Sequence, residues 1–219
     1  MRVELQRSQG TCRIDAAFQS DENGITALFG PSGAGKSSII NMVAGLQKPD
    51  HGSIFIRWRC LFDSMRGINL PPEKRRVGYV FQEGFLFPHL SVASNLLYGR
   101  RSAQSVVQGV DFDQAINLLG IQALLSRKPK TLSGGEKQRV AFGRAILANP
   151  DILLMDEPLA SLDEARKEEM LPFIKDLNAR FKIPILYVSH SLEEIRRLTG
   201  NIITLLNGKI VDNSFKCGG

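Results

Sequence analysis

With 219 residues and 43% hydrophobic content, the chain is long enough for one substantial core, or for a core with one lobe inserted, and too short for a second full domain. A formal net charge of +6 and a pI of about 9.4 favour anionic partners such as nucleotide phosphates, lipid head groups or nucleic acid, and an ordinary basic surface accounts for them equally well. Cys12, Cys60 and Cys217 are too scattered for a disulfide framework, the histidines lack metal spacing, and no run approaches the roughly 20 apolar residues that span a bilayer, so a cytoplasmic protein is expected.

Cys12, Ile14, Ala16 and Phe18 alternate with Arg13, Asp15, Ala17 and Gln19, the period of a half-buried strand. Asn23-Gly24 then turns the chain into the apolar run Ile25 to Phe29, a buried strand. That strand runs into Gly30-Pro31-Ser32-Gly33-Ala34-Gly35-Lys36-Ser37, the spacing of a phosphate-binding loop, and Ile39, Met42, Val43 and Leu46 follow at helical spacing. Glycines let backbone N–H groups converge on phosphate oxygens, and the helix N-terminus adds its positive dipole end. In such a loop Lys36 reaches the β and γ phosphates and Ser37 ligates Mg²⁺.

Lys48 to Gly52 reads as a turn, followed by a strand with Ile54, Ile56, Trp58 and Cys60 on one face and Arg57 and Arg59 on the other. Pro71-Pro72-Glu73 forces a loop, and Val77 to Phe81 is a buried strand ending at Gln82, where α/β sheets keep their chemistry. From Pro88 to about Ala148 the period is helical, with Ser91 and Asp113 as candidate N-caps and Leu118, Leu119, Leu124 and Leu125 as apolar positions. Just before it, the aromatic-rich loop Phe85-Leu86-Phe87-Pro88-His89 reads either as a docking surface or as part of the chain's own core. Ile152 to Met155 is an apolar strand delivering Asp156 and Glu157, and Ile183 to Val188 is another, delivering Ser189 and His190. Ser191 with Glu194 forms a capping box, and Leu206-Asn207-Gly208-Lys209 a hairpin turn. Strands alternating with helices predict a parallel sheet, with an antiparallel group formed by the first strands.

If a Mg-nucleotide sits on the loop, the first carboxylate of Asp156-Glu157 can hold the metal and the second can polarise an attacking water; alone, such a pair reads as an ordinary surface turn. Leu132-Ser133-Gly134-Gly135-Glu136-Lys137-Gln138 opens a helix with small residues and free N–H groups. It is either a helix cap or an anion site completing that of another copy.

The order phosphate loop, Gln82, Ser133 to Gln138, Asp156-Glu157, Ser161-Leu162-Asp163, His190 resembles the ATP-binding cassette (ABC) ATPases across essentially the whole chain. The resemblance implies a P-loop NTPase, RecA-like α/β core (1–87 and 149–219) with an antiparallel β subdomain, and an inserted helical subdomain (88–148). It implies ATP and Mg²⁺, sandwiched head-to-tail between two copies. Gly30, Pro31, Ser32, Gly33, Ala34, Gly35, Lys36, Ser37 and Ser38 of one would face Ser133, Gly134 and Gly135 of the other. Ser37, Gln82 and Asp156 would serve the metal, Glu157 would be the general base, His190 would contact the γ-phosphate and Asp163 would cross the dimer seam. Bottom-up, His190 reads equally as part of a capped helix start.

Within the family, the stretches 70–82, 86–89, 156–163 and 187–192 look most like importers of molybdate, with sulfate, maltose and polyamine importers sharing much of the pattern. This implies membrane-spanning permease subunits as partners, a solute-binding protein acting indirectly, and a peripheral place on the inner face of the membrane. Basic residues fall in short separate groups, so no nucleic acid is expected. Two departures stand out. The aromatic that many cassettes use to stack on adenine is missing between Met1 and Ala17, and the sequence stops soon after the Asn207-Gly208 hairpin, so no C-terminal oxyanion-binding regulatory domain is expected in it. The rival readings are a soluble cassette acting on nucleic acid or ribosomes, for which only about 50 residues between Gln82 and Ser133 leave little insertion, and a phosphate-loop kinase, which leaves Ser133 to Gln138 unused.

Overall fold

A computed structural model describes residues 1–9, 12–20, 22–102 and 110–213. Cys217 and the 103–109 part of the expected helical stretch lie outside them. The strands are β1 (Arg2–Gln9), β2 (Cys12–Gln19), β3 (Ile25–Phe29), β4 (His51–Ile56), β5 (Arg59–Asp63), β6 (Ile68–Asn69), β7 (Val77–Val80), β8 (Ile152–Asp156), β9 (Ile185–Ser189), β10 (Ile202–Leu206) and β11 (Lys209–Asn213). The helices are α1 (Lys36–Ala44), α2 (Val92–Ser102), α3 (Phe112–Leu119), α4 (Gly134–Leu147), α5 (Glu164–Phe181) and α6 (Leu192–Leu198).

The strands form one sheet in the order β6-β5-β4-β1-β2-β11-β10-β3-β9-β8-β7. β10, β3, β9, β8 and β7 are mutually parallel, whereas β1 pairs antiparallel with β2 and β4, and β5 continues that antiparallel half. Alternation along the parallel strands assigns the faces. Ile152, Leu154, Leu186 and Val188 point to one side and pack with Ile39, Ile40, Met42 and Val43 of α1, while Leu153, Met155, Ile185 and Tyr187 point to the other, against α4, α5 and α6. Burying each such side chain contributes about 1.5–3 kcal/mol, which is why β8 and β9 read as unbroken apolar runs. Because these strands are parallel, the segments after β3, β7, β8 and β9 emerge at one edge of the sheet, where α/β proteins place their ligands.

Several expectations are corrected locally. His51 and Gly52 already belong to β4. The single strand expected through Cys60 is the β4–β5 hairpin: Arg57 has φ 52°, Trp58 is 85% exposed, and a two-residue turn left no gap in the alternation to announce it. Leu46 falls beyond α1, which Gly45 ends in a left-handed conformation. Pro72–Lys74 is a single 3-10 turn rather than an open loop. Asp111, not Asp113, caps α3, accepting from the Gln114 N–H, because Asp113 already lies within the first helical turn, where it only complements the dipole. At α6 the box is half made: Ser191 accepts from the Glu194 N–H, but the Glu194 carboxylate accepts from the Tyr187 and Ser189 hydroxyls instead.

Candidate functional site

The loop between β3 and α1 is seated by the β10–β11 hairpin, whose Gly208 N–H donates to the Ala34 carbonyl at 3.0 Å. The seat leaves no room at Gly30, where an added Cβ would lie 2.2 Å from the Leu205 carbonyl oxygen, and Gly35 holds φ 103°, which other residues rarely adopt. Pro31, Ser32 and Gly33 are exposed, as is Ser37, while Ser38 is half-buried. Lys36 is 5% exposed; its Nζ donates to the Gly30 and Pro31 carbonyls at 2.8 and 3.0 Å and lies 3.9 Å from Glu157 Oε1.

Asp156 ends β8 beneath the loop, with Oδ1 accepting from Ser37 Oγ at 3.1 Å and Oδ2 from the Tyr79 hydroxyl at 3.3 Å. Burial pushes its carboxyl above the usual carboxylate range, against the opposing pull of those hydrogen bonds; the Glu157 charge adds to the rise and Lys36 opposes it. The native state therefore holds this proton more tightly than the unfolded chain does. The penalty for the buried charge is fully present above the native pKa and vanishes below the unfolded one. A hydroxyl beside a carboxylate is a hard oxygen pair suited to Mg²⁺, whose charge would offset that penalty. Asp156→Asn is accordingly expected to leave the nucleotide-free melting temperature unchanged or higher at neutral pH, and to weaken Mg²⁺ binding by roughly 10-fold or more. Calorimetry with and without Mg-nucleotide checks both, and a clear fall in the nucleotide-free melting temperature would contradict the burial argument.

Glu157, next in the chain, has φ 45°, and a non-glycine residue there stores strain of about 1–3 kcal/mol. Its N–H donates to Val188 and its Oε2 lies 2.8 Å from His190 Nδ1. A carboxylate accepts only, so Nδ1 is the donor of this contact, and the His190 side chain is exposed. Lys36, Ser37, Asp156, Glu157 and His190 thus join at one sheet edge. Gln82 follows β7 at the same edge and is exposed.

Ser133 is the N-cap of α4, in a complete box: its Oγ accepts from the Glu136 N–H, and Glu136 accepts from the Ser133 N–H at 2.7 Å, which holds the Glu136 carboxyl below its usual range. The helix-cap geometry is therefore present, with the Ser133 hydroxyl also lying against the Glu136 carboxylate. Nothing within the described residues requires glycine at 134 or 135, since an added Cβ would meet only ordinary contacts at 3.5 Å or more and neither has a positive φ. Asp163 caps α5, accepting from the Arg166 N–H at 3.0 Å with an ion pair to Arg166 at 3.4 Å.

Tyr79 and Asn41 escaped sequence reasoning. The Tyr79 hydroxyl also contacts Asn41 Oδ1 at 2.9 Å, and burial first, then the Asp156 charge, raises its pKa so that it stays a donor. The available signal was one polar residue, Asn41, inside the apolar stretch Ile39 to Val43. Arg75 was missed too: buried, it donates to the Met42 and Val43 carbonyls at the end of α1.

The protein family described as ABC transporter matches residues 14–160. Among curated proteins, the molybdenum import ATP-binding proteins of Rhodospirillum rubrum and Paramagnetospirillum magneticum are each 57% identical over 208 residues, covering 95% of this chain and 56% and 57% of their own lengths. That of Mesorhizobium japonicum is 54% identical over 211 residues, 96% of this chain and 57% of its own. The chain thus spans a little over half the length of these relatives. Among solved structures, the ATP-binding cassette MJ0796, a dimer bound to ADP and phosphate, matches with a TM-score of 0.77 at 27% identity, covering 100% of this chain and 99% of that one. The cbiO1 protein of Clostridium perfringens has a TM-score of 0.82 at 24% identity, over 97% of this chain and 86% of its own, a likeness of fold.

Proposed function

Since the chain belongs to the ABC transporter family, we propose that it is the ATP-hydrolysing subunit of an importer for molybdate or a related oxyanion. The observation that carries the hydrolytic reading is the junction of Lys36, Ser37, Asp156, Glu157 and His190 at the edge where the phosphate loop lies. Lys36 would turn from its own loop carbonyls to the β and γ phosphates, Ser37 and Asp156 with Gln82 would hold Mg²⁺, whose charge would offset that of the phosphates, and Glu157 would take a proton from the attacking water. His190, held through Nδ1 by Glu157, contacts the γ-phosphate. Ser133, Gly134 and Gly135 of a second copy close the nucleotide, which gives two glycines without an internal packing duty their use, and Asp163 meets the seam.

The oxyanion assignment is supported by likeness to molybdenum import proteins alone, because the site's residues meet the nucleotide and not the cargo. No helix among the described residues is long and apolar enough to cross a membrane, so cargo movement belongs to membrane-spanning partners, fed by a solute-binding protein, with this subunit on the cytoplasmic face. Co-purification with those partners, followed by ATP-driven uptake into proteoliposomes across molybdate, tungstate, sulfate and a polyamine, tests this. Molybdate or tungstate uptake is expected; uptake of sulfate alone would overturn the molybdate assignment, and uptake of the polyamine alone would overturn the oxyanion assignment.

The loop after Gln82 is the proposed seat of the partner's helix. Phe85 is 57% exposed, whereas Leu86 and Phe87 are half-buried, Phe87 packing on Tyr98 at 4.4 Å. Phe85→Ser is therefore expected to change stability by only about 0.5 kcal/mol while weakening co-purification with the partner. Unchanged co-purification would remove Phe85 from the interface.

A further inference from the structure

The backbone of that same loop is held in an unusual way. Gly84 and Phe85 both have positive φ, 70° and 34°, and the carbonyls of these two residues are the acceptors of one guanidinium. Arg144 Nη1 donates to Phe85 O at 2.8 Å and Nη2 to Gly84 O at 3.2 Å, and the guanidinium lies 5.3 Å from the centre of the Phe87 ring. No carboxylate among the described residues forms an ion pair with Arg144, and burial lowers its pKa, so a desolvated cation is spent on main-chain oxygens and a ring face. Asn95 of α2, fully buried, completes the hold: its Oδ1 accepts from the Phe87 N–H at 2.8 Å and its Nδ2 donates to Phe87 O at 3.1 Å.

Both holding side chains come from the packed helices α2 and α4, and a Cβ on Gly84 would lie 3.5 Å from Gln138 and 3.7 Å from Ala141 of α4. Toward the sheet, the same loop is connected by the turn from Phe81 to Gly84 and by the Phe81–Phe85 ring contact at 5.3 Å. Arg144 lies on the helix whose first turn carries Ser133, Gly134 and Gly135.

We propose that Arg144 is a positioning residue that makes the Gly84–Phe87 loop one body with α4, so that a partner helix seated on Phe85 sets the position of the Ser133–Gly135 phosphate donors. This rests on the importer-ATPase reading above. A strained loop without this anchor would still cover the protein, but its displacement would not carry α4 with it. Lysine cannot replace the arginine fully, because an ammonium lacks the planar fork that spans two carbonyls while lying on a ring.

The test uses Arg144→Ala and Arg144→Lys in the complex with its membrane-spanning partners, in proteoliposomes with molybdate as the probe. Three quantities are measured: ATP hydrolysis by the subunit alone, molybdate transported per ATP hydrolysed in the complex, and amide exchange of segment 83–88 against α4. Expected are hydrolysis by the subunit alone within about 2-fold of wild type, transport per ATP lowered at least 10-fold in Arg144→Ala and less in Arg144→Lys, and faster exchange confined to 83–88. Unchanged transport per ATP in both variants would overturn the proposal. So would a parallel loss of hydrolysis by the subunit alone with faster exchange throughout α4, which would make Arg144 a general support of the fold. Failure of the wild-type subunit to hydrolyse ATP would instead overturn the underlying function.

Discussion

Glu157→Gln is expected to bind ATP, leave it uncleaved and hold two copies together around it. Glutamine keeps the size of the side chain and can still accept the His190 Nδ1–H through its amide oxygen, but it cannot take a proton from water; loss of such a base lowers turnover by roughly 10²–10⁴-fold. ATP that persists then stabilises whichever state binds it better, by about 2.7 kcal/mol at a concentration 100 times its dissociation constant. Size-exclusion chromatography of Glu157→Gln should show a dimer with ATP and a monomer without it. Ser133→Arg on the same chain should abolish the dimer by placing bulk at the start of α4, the helix terminus assigned to phosphate. A dimer that forms equally well without ATP, or survives Ser133→Arg, would separate dimerisation from the nucleotide.

Lys36→Ala should reduce turnover by about 10²–10³-fold, the loss typical when one preorganised charge contact to the transition state is removed. The substitution also deletes the hydrogen bonds to the Gly30 and Pro31 carbonyls, so the loop loosens as well as losing its cation. The rest of the fold should be spared, because α1 remains packed through Ile39, Ile40, Met42 and Val43 and Arg75 still caps its far end. Turnover near the wild-type rate in a folded Lys36→Ala protein would show that the loop is not the active site.

What was legible in the sequence is what local periodicity and fixed spacing control. Ile25 to Phe29 and Ile152 to Asp156 were readable because each is an apolar run delivering a polar group or loop, and the phosphate loop because of its fixed glycine spacing; the structure places them at one edge. The β4–β5 hairpin was not, because Trp58 kept the alternation going through a turn from which it projects into solvent. Tyr79, Asn41 and Arg75 were hidden for a different reason: their roles depend on which strand lies beside β8 and on what the end of α1 meets, and chain order alone does not supply either. Ser133 was left between two readings, and the geometry makes it a true cap while leaving Gly134 and Gly135 without an internal reason to be small.

That last point bears on the central claim, that each ATP is held by the phosphate loop of one copy and the α4 start of another. It is tested most directly by mixing two inactive subunits, Lys36→Ala and Ser133→Arg, in the assembled complex. In a head-to-tail pair one of the two sites then gathers both defects and the other is built wholly from unaltered parts. Half of randomly formed pairs are mixed and each has one intact site of two, so about a quarter of wild-type turnover should return on mixing. No recovery, with both variants folded and present in the same complexes, would mean that each chain contains its whole site, and the shared-site account would be contradicted.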